Sequence, residues 1–393
     1  MVTVIEARNA IINSVKQGRK EFLSLSKSLG SILSEDILSR IDSPPFDNSA
    51  VDGYAFRYSN LLNQHEIKII GESAAGKSFS KKIKDGEAVR IFTGAEIPSG
   101  ADTVVMQEKI LIKNDKLIIL DDKIFIGSNI RIKGSQIKKK ELALKKGTEL
   151  NAGAIGFLAS IGINKSQVFS KPKIAIIVTG NELQKTGTNL KTGNIYESNS
   201  IALQGALQSI GINFIKTFIV KDNKKSIRAA FRKAIKKSDF ILFTGGISVG
   251  DYDYVGKIMK EEKVKTIFYK VKQKPGKPLF FGIKNKNYIF GLPGNPASVL
   301  TCFYEYVIPA LRNFQGFANP FLPTISVPLT KSINKKVGLT YFLKGITDYK
   351  TATPLEGQES FIMKSFSDSN CLILMPEETE TLLTGDTVEI HLL

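Results

Sequence analysis

Tryptophan is missing from the 393 residues, and cysteine and histidine occur only as Cys302, Cys371, His65 and His391. So few, so widely separated, they exclude a disulfide framework and a structural zinc site. Long apolar runs are missing too. None approaches the ~18 residues of a membrane span, and the opening "MVTVIEARNA" lacks the basic and apolar regions of a secretory leader, so a cytoplasmic protein without membrane segments is expected. Acids are in deficit, 37 against 55 Lys and Arg, for a net charge of +18. The lysines are dispersed through "KSFSKKIKDG", "IKKKE", "DNKKS" and "KSINKK" without interleaved aromatics. That pattern is a solvated surface with no nucleic-acid partner, although it would still draw in anionic substrates. Core-forming residues, by contrast, are plentiful. A hydrophobic content of 42% with 23% charged residues is that of a globular chain, and the length implies roughly two to four domains.

Thr3-Val4-Ile5-Glu6 has capping-box spacing, and Ala7, Ala10, Ile11 and Val15 recur on one helical face, which predicts an opening amphipathic helix. From about Ile67 to Leu150, short runs such as "IKII", "AVRIF", "TVVM" and "KLIIL" alternate with Gly, Asp and Lys, as in a separate β domain. At "SKPKIAIIVTGNEL" the texture changes. Ile174 to Val178 is an unbroken apolar run ending near a glycine, as expected of a strand buried on both faces. Helical and apolar segments then alternate, and in "KKSIRAAFRKAIKK" Ile227, Ala230, Phe231, Ala234 and Ile235 follow the helical period, with Asp222 or Asn223 placed as the cap. "FANPFLP" reads as a linker before the short strands "TISVPL", "CLILMP" and "DTVEIHLL". The expectation is a multidomain α/β plus β protein: 1–50 with 140–171 as a helical linking domain, 51–139 as a β-rich insertion, 172–318 as an α/β sandwich on a mostly parallel sheet, and 319–393 as a C-terminal β domain.

Three motif readings compete. Gly246-Ile247-Ser248-Val249-Gly250 has the spacing of a serine-hydrolase nucleophile elbow, with "DFILF" before it and His391 later in the chain. The spacing recurs by chance, however, and a histidine at the end of an alternating strand reads as an edge-strand side chain. Residues Gly71 to Ser78, "GESAAGKS", satisfy the phosphate-loop expression, yet "SFSKKIKDGE" supplies too few apolar positions for the helix such a loop must open. The third reading joins the strand ends. "VTGNEL" with Glu182, "IVKD" with Asp222 and "FTGGISVGDYD" with Ser248 and Asp253 all point beyond the carboxyl edge of a sheet, where α/β proteins bind ligands. Amides at Gly245, Gly246 and Ser248 could cradle a phosphate, and clustered carboxylates beside it call for a divalent cation, Mg²⁺ above all. "KPGKP" rigidly spaces Lys274 and Lys277, and "GLPGNPAS" fixes a turn before the next helix, so the whole suggests chemistry on a phosphorylated substrate.

Taken in order, "PPFDNSAVDGYAF", "IFTGAEIPSGADTVVMQE", "NIRIKG", "TGNEL", "TGGISVGDYDYV", "KPGKPLFFG" and "GLPGNPAS" resemble the MoeA and gephyrin E-domain family of molybdopterin molybdenumtransferases over essentially the whole chain. The resemblance implies an elongated homodimer with a MogA-like middle domain, supplied by a molybdopterin adenylyltransferase. It implies an enzyme that inserts molybdate into adenylylated molybdopterin with Mg²⁺-dependent release of AMP. It assigns catalytic roles to Asp52, Thr93, Glu182, Asp222, Asp253, Lys270 and Lys274, with Glu182, Asp222 and Asp253 at the metal. Substrate contacts fall to Gly245, Gly246, Ser248, Pro275, Lys277 and Ser298, and to Lys344 and Ser360 of the last domain. Ser248 then contacts a phosphate instead of acting as a nucleophile. Gln136 stands where relatives often carry an acid and Lys344 where many carry arginine, so Gln136 is left out of the ligand set. An adenylyltransferase-like or other phosphoanhydride enzyme could share the middle domain, and a gephyrin-type scaffold is the non-enzymatic alternative. The former has no use for "DNSAVDGYAF" or the terminal β domain, and the latter none for the cleft's acids and lysines.

Overall fold

The computed structural model describes residues 1–63, 66–246 and 254–393. The chain divides into two compact units, one of Met1–Glu21, Gly30–Ser34 and Gln167–Leu393, the other of Phe22–Leu29 and Glu35–Ser166. Among the described residues no helix is long and apolar enough to cross a membrane.

The first unit is built on a six-stranded sheet in the order Ile215–Val220, Ile174–Thr179, Phe240–Thr244, Asn287–Leu292, Phe280–Lys284, Lys265–Tyr269. Its first four strands are parallel and the last two join antiparallel, the expected mostly parallel sheet closed by an antiparallel edge pair. Every residue of Ile174–Thr179 is buried because alternate side chains serve opposite faces. Ile174, Ile176 and Val178 join Leu203, Leu207 and Phe303 on one side, while Ala175 and Ile177 join Ile227, Phe231 and Ile258 on the other. The helix Lys224–Ala234 buries Ile227, Ala230, Phe231 and Ala234, and Asn223, one of the two expected caps, accepts from the Ser226 amide at 2.9 Å. The opening helix Val4–Ser14 carries both bonds of the capping box between Thr3 and Glu6, and its Val4, Ala7 and Ile11 enter the core beneath the sheet.

A second six-stranded sheet in the same unit takes the order Gln273–Lys274, Thr340–Thr347, Cys371–Met375, Thr387–Leu392, Thr324–Pro328, with Ala352–Pro354 pairing alongside Thr340–Thr347. Gln273–Lys274 lies between the α/β-sheet strands Lys265–Tyr269 and Phe280–Lys284, so one short strand ties the terminal β module to the α/β layer. His391 corrects the sequence reading. Its strand Thr387–Leu392 lies between two others instead of at an edge, and the side chain is buried. Alternation along one strand shows which residues share a face, not how many neighbours the strand acquires.

His391 belongs to a buried ionic group. Its Nδ1 lies 2.7 Å from Glu305 Oε1 and its Nε2 2.9 Å from Glu389 Oε1, while Arg8 of the opening helix bonds the other Glu305 oxygen. Burial opposes charge on Glu305, but His391 and Arg8 outweigh it and hold the carboxyl below its ordinary value of 4.5. Burial likewise opposes charge on His391, and the bond and charge of Glu305, aided by Glu389 and partly countered by Arg8, raise it above 6.5.

The other unit carries a sheet in the order Thr103–Met106, Gly53–Phe56, Glu87–Ile91, Ile67–Ser73, Lys116–Ile119, Ile110–Lys113. Tyr54 and Phe56 face one core with Val105 and Leu117; Ala55 faces the other with Ile91 and Val104. The phosphate-loop lookalike is strand through Ser73 and then a tight turn in which Ala74 and Lys77 bond each other's backbones. No helix follows it, as the sequence led us to expect.

The ionic group sets a pH dependence. A raised histidine contributes stability in full below 6.5 and loses it as pH rises through its folded value, whereas a lowered glutamate contributes above 4.5 and loses it as pH falls. Urea unfolding should therefore show stability falling as pH rises above 6.5 and through the folded value of His391, and His391→Asn should flatten that slope. Glu305→Ala should cost about 3–5 kcal/mol, because it strands buried charge without a partner. An unchanged slope in His391→Asn would remove the histidine from this role.

Candidate active site

A sheet covered on both faces leaves its strand ends free, and here four neighbouring parallel strands deliver their carboxyl ends to one place. Thr179, Gly180 and Glu182 follow the first, Asp222 the second, Gly245 and Gly246 the third, and Pro293, Gly294 and Asn295 the fourth; all border a cavity of about 580 Å³. The "KPGKP" loop forms another wall, and Ser298, Leu339, Gln358 and Ser360 complete it. A neighbouring cavity of about 410 Å³ shares Thr179, Glu182, Gly245, Gly294 and Asn295 and adds Tyr196, Glu197 and Phe361.

The placement of the cavity's acids follows from backbone geometry. Asn181 Oδ1 accepts from the Asp222 amide at 3.2 Å, which ties together the ends of two adjacent strands. Burial, with Glu182 second and the Thr179 hydroxyl opposing, raises Asp222 above its ordinary 3.8. Gly245 and Gly246 have φ of 80° and 64°. A β-carbon would fall 2.5 Å from the Thr179 carbonyl at Gly245 and 2.8 Å from the Thr179 hydroxyl at Gly246, so only glycine lets the chain pass this close to the acids. Among the described residues no group of three or more His, Cys, Asp or Glu is arranged to hold a metal. Glu182 and Asp222 are the acids present, a hard-oxygen pair suited to Mg²⁺. Ser248 and Asp253, two further candidates, lie outside the described residues. His391, the base a serine nucleophile would need, has both ring nitrogens engaged by glutamates.

The lysine loop is held by buried neighbours. Gln273 is fully buried; its amide donates to the Pro275 carbonyl at 3.0 Å and its oxygen accepts from the Tyr306 hydroxyl. Gly276, at φ 86°, leaves no room for a β-carbon, which would sit 2.5 Å from Cys302 Sγ. Burial pushes the Cys302 thiol far up, so it is packing and not a nucleophile. Lys274 and Lys277 are thereby exposed at the cavity wall, with Lys274 Nζ 5.2 Å from the Tyr341 ring centroid. Pro275, after a cis bond, and the buried Ser298 line the same space.

Three expected residues fall elsewhere. Lys270 does not border the cavity; it takes a left-handed φ of 67°, and its ammonium lies 5.5 Å from the Tyr269 ring centroid. Asp52 and Thr93 belong to the other compact unit, where they form a pair. Asp52 Oδ1 accepts from the Thr93 amide and hydroxyl, each at 2.8 Å, and the amide bond above all lowers Asp52 below its ordinary value. Gly53 beside it is obligatory, since a β-carbon would lie 1.8 Å from the Val105 carbonyl.

Lys344 also lies away from the cavity lining. It is buried, and its ammonium donates to the carbonyls of Gly357 at 2.6 Å, Ile362 at 3.0 Å and Glu359 at 3.3 Å, so it does not border the cavity. Burial lowers it from the ordinary lysine value, with Glu359 opposing. The three carbonyls lie 13 to 18 positions further along the chain, which the local sequence around Lys344 does not reveal. Ser360 does reach the cavity, where its hydroxyl oxygen accepts from Asn295 Nδ2 at 2.7 Å. Asn295, Gln358 and Thr179 were not singled out in the sequence, although Asn295 and Thr179 lie inside quoted motifs; neutral side chains carry no charge signal to mark them.

Comparison with known proteins accords with this arrangement. A family profile described as MoeA N-terminal region (domain I and II) matches residues 2–162, one described as probable molybdopterin binding domain matches 175–313, and one described as MoeA C-terminal region (domain IV) matches 326–393. A molybdopterin molybdenumtransferase of Haemophilus influenzae is 34% identical over 401 residues, covering 100% of this chain and 98% of its own. One from Staphylococcus aureus is 34% identical over 400 residues, covering 100% and 95%. The crystal structure of the molybdopterin biosynthesis MoeA protein of Pyrococcus horikoshii aligns with a TM-score of 0.86 at 30% identity, covering 100% of both chains. With three profiles in chain order and full-length relatives at that identity, this chain belongs to the MoeA family of molybdopterin molybdenumtransferases.

Proposed function

We propose that the cavity at the strand ends binds adenylylated molybdopterin and molybdate, and that the enzyme inserts molybdate at the dithiolene with Mg²⁺-dependent release of AMP. The observation that carries this reading is that one cavity is lined both by carboxylates, Glu182 and Asp222, and by lysines and hydroxyls, Lys274, Lys277, Ser298 and Ser360. The adenylate's metal ion calls for carboxylates, while a tetrahedral dianion calls for cations and hydroxyl donors.

Glu182 and Asp222 would hold Mg²⁺, with Asp253 as the expected third acid. When bound, the ion would neutralise phosphate charge and polarise the anhydride. The positive-φ turn at Gly245 and Gly246 lets phosphate oxygens approach the backbone. Lys274 and Lys277 offer point charges to the dianion, while Ser298 and Ser360 offer hydroxyl donors. Because Asn295 already donates to the Ser360 oxygen, the Ser360 proton is left for the substrate. Asp52 and Thr93 enter this reading as a carboxylate fixed by its neighbour. Lys270 retains its implied role as a positive charge following the edge strand. The proposal extends, as the sequence resemblance implies, to a cytoplasmic homodimer supplied by a molybdopterin adenylyltransferase.

Two outcomes test it. Purified protein given adenylylated molybdopterin and molybdate should release AMP only with a divalent cation, followed by chromatography. Release undiminished by chelator would overturn the metal's part. Asp222→Asn should lower turnover at least about tenfold, which corresponds to about 1.4 kcal/mol. The same change should not lower stability at neutral pH. A carboxyl whose folded pKa is raised disfavours the fold once ionised, so removing its charge relieves that cost. Thermal unfolding of the variant checks this, and a lower midpoint would make Asp222 a structural residue.

A further inference from the structure

The segment from Gly357 to Ile362 supplies Gln358 and Ser360 to the cavity, yet it has no regular secondary structure of its own. Its order comes from two attachments. On the outside, Ser360 is bound through its carbonyl, which accepts from the Ala297 amide at 3.1 Å, and through its hydroxyl, which accepts from Asn295. On the inside the segment closes around one ammonium. Lys344 Nζ has three protons, and the carbonyls of Gly357, Glu359 and Ile362 take them. Gln358 adds a reciprocal pair, accepting from the Lys344 amide at 3.0 Å and donating to the Lys344 carbonyl at 2.8 Å. Three converging carbonyls would repel one another without a cation between them, and the buried position keeps water from taking its place.

We propose that Lys344 is a positioning residue and not an anion ligand: its ammonium is a tethered cation around which residues 357–362 are wrapped, and this wrapping presents the Ser360 hydroxyl to the oxyanion. The inference rests on the reading of the cavity as the molybdate site. It reassigns the dianion's charge partners to Lys274 and Lys277, which face the cavity, and it makes Lys344 act on the anion only through Ser360. A lysine suits this task because its compact ammonium fits among three carbonyls, whereas a guanidinium is planar and larger.

The test combines amide hydrogen exchange over residues 355–363 with calorimetric titration of molybdate alone into the intact protein. Lys344→Ala should lose exchange protection in this segment and bind molybdate about tenfold more weakly, the scale of one donor lost to an oxyanion. Propylammonium chloride, compared with sodium chloride at equal ionic strength, should restore both, because it refills the carbonyl cage. Ser360→Ala, which keeps the carbonyl bond to the Ala297 amide and the lysine cage, should weaken molybdate to a similar degree with a smaller loss of exchange protection than Lys344→Ala, and the double variant should bind no worse than Lys344→Ala. Weakened binding with an unchanged exchange pattern, or an effect that adds in full to that of Ser360→Ala, would make Lys344 a direct ligand and overturn the proposal. So would a loosened segment with unaltered molybdate affinity. Should Lys344→Ala not fold, Lys344→Met keeps the apolar stem and permits the same exchange measurement and double-variant cycle. If the wild-type protein itself binds no molybdate, the function proposed above fails, and the exchange and propylammonium arms still decide whether Lys344 is the cation of the cage.

Discussion

The constraint on which this structure depends is that a parallel sheet covered on both faces can meet a ligand only at its ends. Helices occupy both faces of the sheet around Ile174–Thr179, and the core on each side is closed by large apolar side chains. Polar chemistry is thereby confined to the loops at the carboxyl edge. Four consecutive parallel strands make that edge a line of four adjacent loops, and each contributes to the same cavity. Nothing longer than a few residues is needed to bring Glu182, Asp222 and the Gly245–Gly246 turn together, although they are up to 64 positions apart in sequence.

A cavity of this kind gathers charged groups, and buried hydrogen bonds and close packing keep them in place. Gln273, Tyr306, Cys302 and Gly276 shape the lysine loop from beneath, each filling a space that a larger or charged group could not. Lys344 does the equivalent for the loop of the terminal module with a cation instead of an amide. Further out, Arg8, Glu305 and His391 join the opening helix, the helical layer and the last strand of the chain in one ionic group. Asp222 shows the opposite bias: it is held partly buried against a second acid, a position that costs stability and is explained by chemistry at the cleft.

The sequence by itself determined the elements whose physics is local. The capping box at Thr3, the helical period in "KKSIRAAFRKAIKK" and the unbroken run at Ile174 each describe interactions within a few residues, and each appears where it was read. The strand-end motifs were legible for a related reason, since a glycine or carboxylate directly after a buried strand has few places to go. The helix missing after "GESAAGKS" was equally readable, because too few apolar positions follow to build one.

Tertiary structure decided what depends on neighbours distant in sequence. His391 looked like an edge residue because alternation records faces but not partners; the strands Cys371–Met375 and Thr324–Pro328 on either side, with Glu305 below, buried it. Lys344 was an anion contact by the resemblance alone, and the fold places its ammonium among three backbone carbonyls of a segment 13 to 18 positions further along the chain. Asn295 and Gln358 carried no signal at all, since an uncharged amide becomes a site residue only when folding places it beside a cavity. The division follows the range of the forces involved: capping, helical periodicity and turn geometry act over a few bonds and are written in the local sequence, whereas burial, charge pairing and carbonyl coordination depend on the groups that the rest of the chain brings within a few ångströms.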